Sequence, residues 1–188
     1  MSDKSDTSWI RLLDNVVALI VIVVAIIAIL ELAFSFVYAL EVLLLGLLAM
    51  GIAWVVMGIY VLRAYLFARV FMLITGFAAI VISLLDIIFI SLPLDYLVLY
   101  PTLAMLLVGS SRLVLGILIS EIPLWIRMLQ VIAGIMTVNF VALVYIFPGI
   151  TIQGVIILLV ITFFTNGLVR LIVGRTDIKQ QIMQTTET

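Results

Sequence analysis

Polar residues punctuate this chain rather than alternate along it. Six apolar runs stand out, at approximately 12–34, 39–62, 67–92, 97–119, 124–147 and 150–174. Each is long enough to cross a bilayer, whose hydrocarbon core of about 30 Å takes roughly 20 helical residues. The breaks between them are short: "SFVYALE", "LRAYLFAR", "SLPLDY", "SEIPLW" and "FPG". Turns this tight force neighbouring helices to run antiparallel and leave no room for a soluble domain. The polar ends, "MSDKSDTSW" and "TDIKQQIMQTTET", are expected to be short and mobile. The first run is too long for a signal peptide, follows Asp3 and Asp6, and lacks a small-residue cleavage site, so it reads as a retained helix. The expectation is an all-α, polytopic membrane protein with six transmembrane helices in one domain, 1–188.

The polar punctuation also orients the chain. Lys4 and Arg11 precede the first run, Arg63 and Arg69 flank the second turn, Arg127 follows the fourth, and Arg175 and Lys179 follow the sixth run. The other three turns carry no Lys or Arg. By the positive-inside rule both termini are expected in the cytoplasm, the protein being multi-pass in a plasma or inner cell membrane. Acids collect on the opposite side: Glu31, Glu41 and Asp95 near the turns, and Asp86 about two turns inside the third run.

A repeat underlies the spans. Shifted by 58, the sequence superposes Arg11, Arg69 and Arg127; Ala18, Gly76 and Gly134; Gly51, Gly109 and Gly167; Gly58, Gly116 and Gly174; and Trp54, Arg112 and Arg170. Eight of the eleven glycines and five of the seven arginines fall in these columns, which chance composition would hardly produce. The repeat predicts three tandem hairpins, approximately 9–66, 67–124 and 125–182. A unit of two spans keeps its copies in one orientation, so a symmetry axis would run along the membrane normal. Residues seven apart lie about 20° from one line on a helix. Each G-x6-G pair therefore bares backbone on one face, which in lipid allows close helix–helix contact. Packing seams at Gly51, Gly58, Gly76, Gly109, Gly116, Gly134, Gly167 and Gly174 are the leading expectation; a glycine-lined ligand pocket is the other.

Composition narrows the chemistry. The chain is 67% hydrophobic and 10% charged, with net charge −1 and mean hydropathy +1.50. That much apolar surface requires lipid as part of the solvent, and no basic patch is left for nucleic acid. With no Cys and no His, thiol chemistry, disulfides, thiolate or imidazole metal sites and a histidine pH switch are all excluded. No cofactor or metal site is legible. H-E-x-x-H and G-x-S-x-G are absent, no aspartate pair stands at helical spacing, and Ser110 and Ser111 lack any evident base. Catalytic residues are therefore not expected, and the chain is not read as an enzyme.

"GIAWVVMGI", "GSSRLVLGI" and "GLVRLIVGR" resemble the G-x6-G-I repeats of the HdeD-like family of small six-helix membrane proteins. The R-x6-G openings at Arg69 and Arg127, and "FPGITIQGVIILLV", are similar too, over nearly the whole chain. The chain departs from that pattern at Ala18, in the register of Pro93 against Pro148, and in a first hairpin without proline. The family's association with acid resistance implies a membrane stress role by fold-level analogy.

Three intramembrane charges remain. Arg170 lies five residues before Arg175, so its side chain is placed to snorkel to the headgroups. Arg112 is deeper; Asp14 is its best-placed partner, and the alternatives are an anchoring ion pair or a substrate-facing role. Trp54 in the same column suggests a boundary position, where Trp and Arg both sit well. Asp86 is expected to hydrogen-bond with Ser83, Tyr96 or Tyr100, or else to bind a proton or cation in a wet crevice. Asn139 and Asn166 read as hydrogen-bonding glue between helices. The four prolines are expected at or near helix ends. Two functions follow: a non-catalytic membrane protein that supports a stress response or acts as an assembly or homo-oligomer partner, or a small channel or transporter with Asp86 and Arg112 on its path.

Overall fold

The computed structural model describes residues 4–60, 65–89, 93–119, 122–147 and 149–174, with side chains from Leu12 onward and excluding 94–96. Arg63, Pro148, Arg175 and Lys179, and the side chains of Lys4, Arg11, Asp95 and Tyr96, lie outside the described residues. Six helices follow one another: α1 Lys4–Glu31, α2 Phe36–Tyr60, α3 Leu66–Ile88, α4 Leu94–Leu118, α5 Leu124–Ile146 and α6 Ile152–Gly174. No strand occurs among the described residues. Each helix holds a segment of 20 to 25 residues long and apolar enough to cross a bilayer.

Two boundaries differ from the sequence expectation. The polar stretch from Lys4 is helical and continues into α1 without a break. Pro101 stands inside α4, a full two turns from its start. Proline lacks the N–H that would reach the Leu97 carbonyl, but α4 runs on through it. Proline inside a helix is tolerated where neighbouring helices support the backbone, and Pro101 is buried.

The helices arrange as three in the centre and three around them. α2, α4 and α6 touch one another and bury 50–56% of their spans, whereas α1, α3 and α5 bury 28–39%. The most extensive contacts pair α2 with α3, α4 with α5, and α6 with α1. The last pair joins the two ends of the chain and closes the ring.

Glycine explains why those pairs approach so closely. A Cβ placed on Gly51 would lie 2.9 Å from the Gly76 carbonyl oxygen, and one on Gly76 would lie 2.8 Å from the Gly51 carbonyl oxygen. Backbones in such contact gain from dispersion and weak Cα–H···O bonds, which bind helices in lipid where no hydrophobic force operates between them. The α4–α5 seam repeats this, with a Cβ on Gly134 meeting the Gly109 carbonyl oxygen at 2.8 Å. In the α6–α1 seam Ala18 stands opposite Gly167, whose added Cβ would lie 3.2 Å from the Ala18 carbonyl oxygen. Gly149, by contrast, has nothing within 4 Å of such a Cβ.

Register at the seam also places Arg127. Its Nε donates to the Gly116 carbonyl (3.0 Å) and its Nη2 to that of Ile117 (3.2 Å). A guanidinium there satisfies carbonyls at the C-terminus of α4 and meets the negative end of the helix dipole.

Candidate functional site

The chemistry of this molecule is concentrated where α2, α4 and α6 meet. Trp54, Arg112 and Arg170 each stand three residues after the first glycine of a seam, at Gly51, Gly109 and Gly167. Three residues turn a helix by about 300°, so these side chains sit about 60° away from the seam line. All three are buried, at 2, 2 and 5% exposure. The Arg112 guanidinium carbon lies 5.9 Å from the centre of the Trp54 ring, and that of Arg170 lies 5.5 Å from it. Both distances suit a cation–π attraction, which strengthens when the cation is desolvated.

Arg112 is held by hydrogen bonds from two further helices. Its Nε donates to Asn166 Oδ1, its Nη1 to Gln130 Oε1 at 2.7 Å, and its Nη2 to the Asn166 carbonyl at 2.8 Å. Asn166 is oriented by its own amide, which donates to Thr137 Oγ1 (3.1 Å) and the Thr162 carbonyl (2.8 Å). Thr137 in turn donates to the Ala133 carbonyl at 2.8 Å. One connected network thus ties α4, α5 and α6 together, and buried networks of this kind hold only when their members are satisfied. Arg170 pairs instead with Asp14 of α1, Nη1 to Oδ1 at 3.4 Å.

Several sequence expectations are corrected here. Asp14 forms its ion pair with Arg170, because the α6–α1 seam brings it there, and its charge also attracts Arg112. Arg170 does not snorkel and Trp54 is not a boundary anchor; both point inward, since the neighbouring glycines turn the helix face toward a partner. Asn166 does join helices, but Asn139 is exposed on α5.

Sequence reasoning passed over one signal. Asp14, Met72 and Gln130 are also 58 residues apart, on α1, α3 and α5, and all are buried. Each central residue therefore has a peripheral counterpart of matching character: Arg170 with Asp14, Arg112 with Gln130, and the uncharged Trp54 with Met72. The 58-residue shift that exposed the glycines would have exposed this column too. Gln130 was missed because an amide among apolar residues carries no motif.

Asp86 is placed differently. It is 1% exposed on α3, and its Oδ2 has no hydrogen-bond partner among the described residues. Ser83 is no donor to it, since its hydroxyl donates to the Ala79 carbonyl at 2.7 Å, the i−4 bond common for serine in apolar helices. Tyr100 is 40% exposed. The 2.6 Å hydrogen bond between Thr75 and Ser111 fixes the register of α3 on α4. Moving 11 residues up α3 and 11 back along α4 sets Asp86 about level with Tyr100 and Pro101. Glu31 and Glu41 are half-buried, and no group of three acidic residues able to hold a metal ion occurs among the described residues.

A groove of about 630 Å³ opens on the other side of the α2–α3 seam, between Val55, Leu73, Phe77 and Val81, with a wholly apolar lining. Neither Arg112 nor Asp86 lines it. No protein-family model, curated protein or solved structure matches this chain.

Proposed function

We propose that the chain is a non-catalytic, HdeD-like integral membrane protein, built as three hairpin repeats around an axis along the membrane normal, with both termini cytoplasmic. Its work is to support the membrane under stress, acid stress included, or to serve as an assembly partner for a second copy or another membrane protein. One observation carries the reading: Arg112 and Arg170 are engaged within the bundle, by Asn166, Gln130, Trp54 and Asp14, rather than facing a polar cavity. Charges engaged in this way stiffen a scaffold. The equivalence of the Gly51–Gly76, Gly109–Gly134 and Gly167–Ala18 contacts supports the repeat.

The test is solute flux in proteoliposomes containing the full chain. The scaffold reading expects proton, potassium and chloride leak no greater than in empty liposomes. A channel or transporter is the second reading, favoured by the unpartnered Oδ2 of buried Asp86. It expects flux that Asp86→Asn abolishes. Orientation is tested with cysteines introduced at Ser5, Thr185 and Asp95. The first two should label only from the cytoplasmic side and the third only from outside; external labelling of either terminus would overturn the topology.

A further inference from the structure

Two buried cations share one described carboxylate at the centre of this bundle. Arg112 meets only neutral oxygens, from Asn166 and Gln130, while Arg170 faces Asp14. A guanidinium carries five N–H groups, and Arg112 spends three of them in these bonds. Trp54 Nε1 is buried and makes no hydrogen bond among the described residues, and Arg170 Nη1, also buried, has only the 3.4 Å ion-pair contact with Asp14. Both arginines pack on the ring to which that indole N–H belongs. The indole N–H of Trp54 thus has no acceptor among the described residues, and around its ring two described guanidiniums face one described carboxylate. Buried donors and uncompensated charges are costly, and each such group in a folded protein calls for a partner.

We propose that this centre binds one small monovalent anion, of halide size, between the indole N–H of Trp54 and the guanidiniums of Arg112 and Arg170. The ligand is a free ion rather than a lipid phosphate, because Trp54, Arg112, Arg170 and Asp14 are all 5% exposed or less, too enclosed for a headgroup. Asp14 sits against Arg170 and competes with the anion for that guanidinium. Arg170 and Asp14 lie within about one turn of Gly174, the last residue of α6. The anion neutralises the centre and locks α2, α4 and α6 together, so occupancy raises the stability of the whole bundle.

Bromide is the probe, replacing gluconate at constant ionic strength on the full chain in nanodiscs. In the wild type it should raise Tm saturably, by about 5 °C, and quench a saturating fraction of tryptophan fluorescence. Exposed Trp125 would contribute only a linear, collisional component. Trp54→Phe keeps an aromatic face for both guanidiniums but removes the N–H, and should weaken bromide about tenfold, as one hydrogen bond to an ion implies. Asp14→Asn removes the competing carboxylate and should tighten bromide by about the same factor. The absence of a saturable bromide effect in the wild type, or an affinity unchanged by Trp54→Phe, overturns the proposal. Because this binding is read without any flux, its failure would leave the scaffold reading untouched.

Discussion

Arg112 and Asp86 are both ionisable, both buried, and carried by successive helices α4 and α3, yet they live in opposite surroundings. Arg112 reaches three acceptors on two other helices and the face of Trp54. Asp86 has one oxygen with no partner at all among the described residues, and the hydroxyl of Ser83 is turned back to its own helix. The difference lies in reach and position. An arginine on a central helix can span to α5 and α6, whereas a short aspartate on peripheral α3 depends on what lies beside it. Burial by itself therefore says little about a membrane charge; the acceptors and donors around it decide whether it is mortar or a poised group.

The sharpest way to break this comparison is to remove a partner from the central cluster. Asp14→Ala strips Arg170 of its carboxylate and should cost about 3–5 kcal/mol, the usual penalty for leaving a buried charge alone. Thermal denaturation in detergent measures it, and a loss below about 1 kcal/mol would mean the central cluster is not structural. Next comes the seam that positions Arg112. Gly109→Leu drives atoms into Thr137, 2.8 Å from the added Cβ, and should cost about 1–3 kcal/mol. Gly149→Leu, with open space around it, should stay within about 0.5 kcal/mol. Equal tolerance at the two positions would put the seam against lipid rather than α5.

Asp86→Asn probes the unsatisfied end. It should stabilise the bundle by about 1 kcal/mol at pH 8, since it removes a buried charge whose Oδ2 has no partner among the described residues. The advantage should shrink as pH falls and vanish below about pH 3, where the carboxyl group is protonated in folded and unfolded chains alike and matches the amide in charge. Stability curves that run parallel from pH 8 to pH 4 would show that the Asp86 charge is as well compensated in the folded chain as in the unfolded one. The smallest effect is expected at Asn139, exposed on α5. Asn139→Leu should change stability by less than about 0.5 kcal/mol, whereas Asn166→Leu breaks the Arg112 network and loses several times more. A large cost at Asn139 would reveal a partner helix from a second molecule.

Much of this molecule is legible one residue at a time. Span length, the absence of His and Cys, the alternation of basic and acidic turns and the glycine columns are all one-dimensional patterns. They report how each helix meets lipid, water and its neighbour, and lipid imposes those demands on every span alike. Six apolar helices and their seams followed from that. Where Pro101 would fall did not, because a proline ends a helix only if nothing nearby supports the backbone, and support is a property of packing. Nor could the chain order show that Asp14 belongs to Arg170. That contact joins the first helix to the last and exists only because α6 closes against α1. Asn166 and Asn139 look alike as letters; one bonds to two neighbouring helices and the other faces outward, a difference of helix rotation that the apolar code of a membrane span barely records. A span that is apolar on every side conceals which way it is turned, and only the packing of six such spans turned Trp54, Arg112 and Arg170 toward one another.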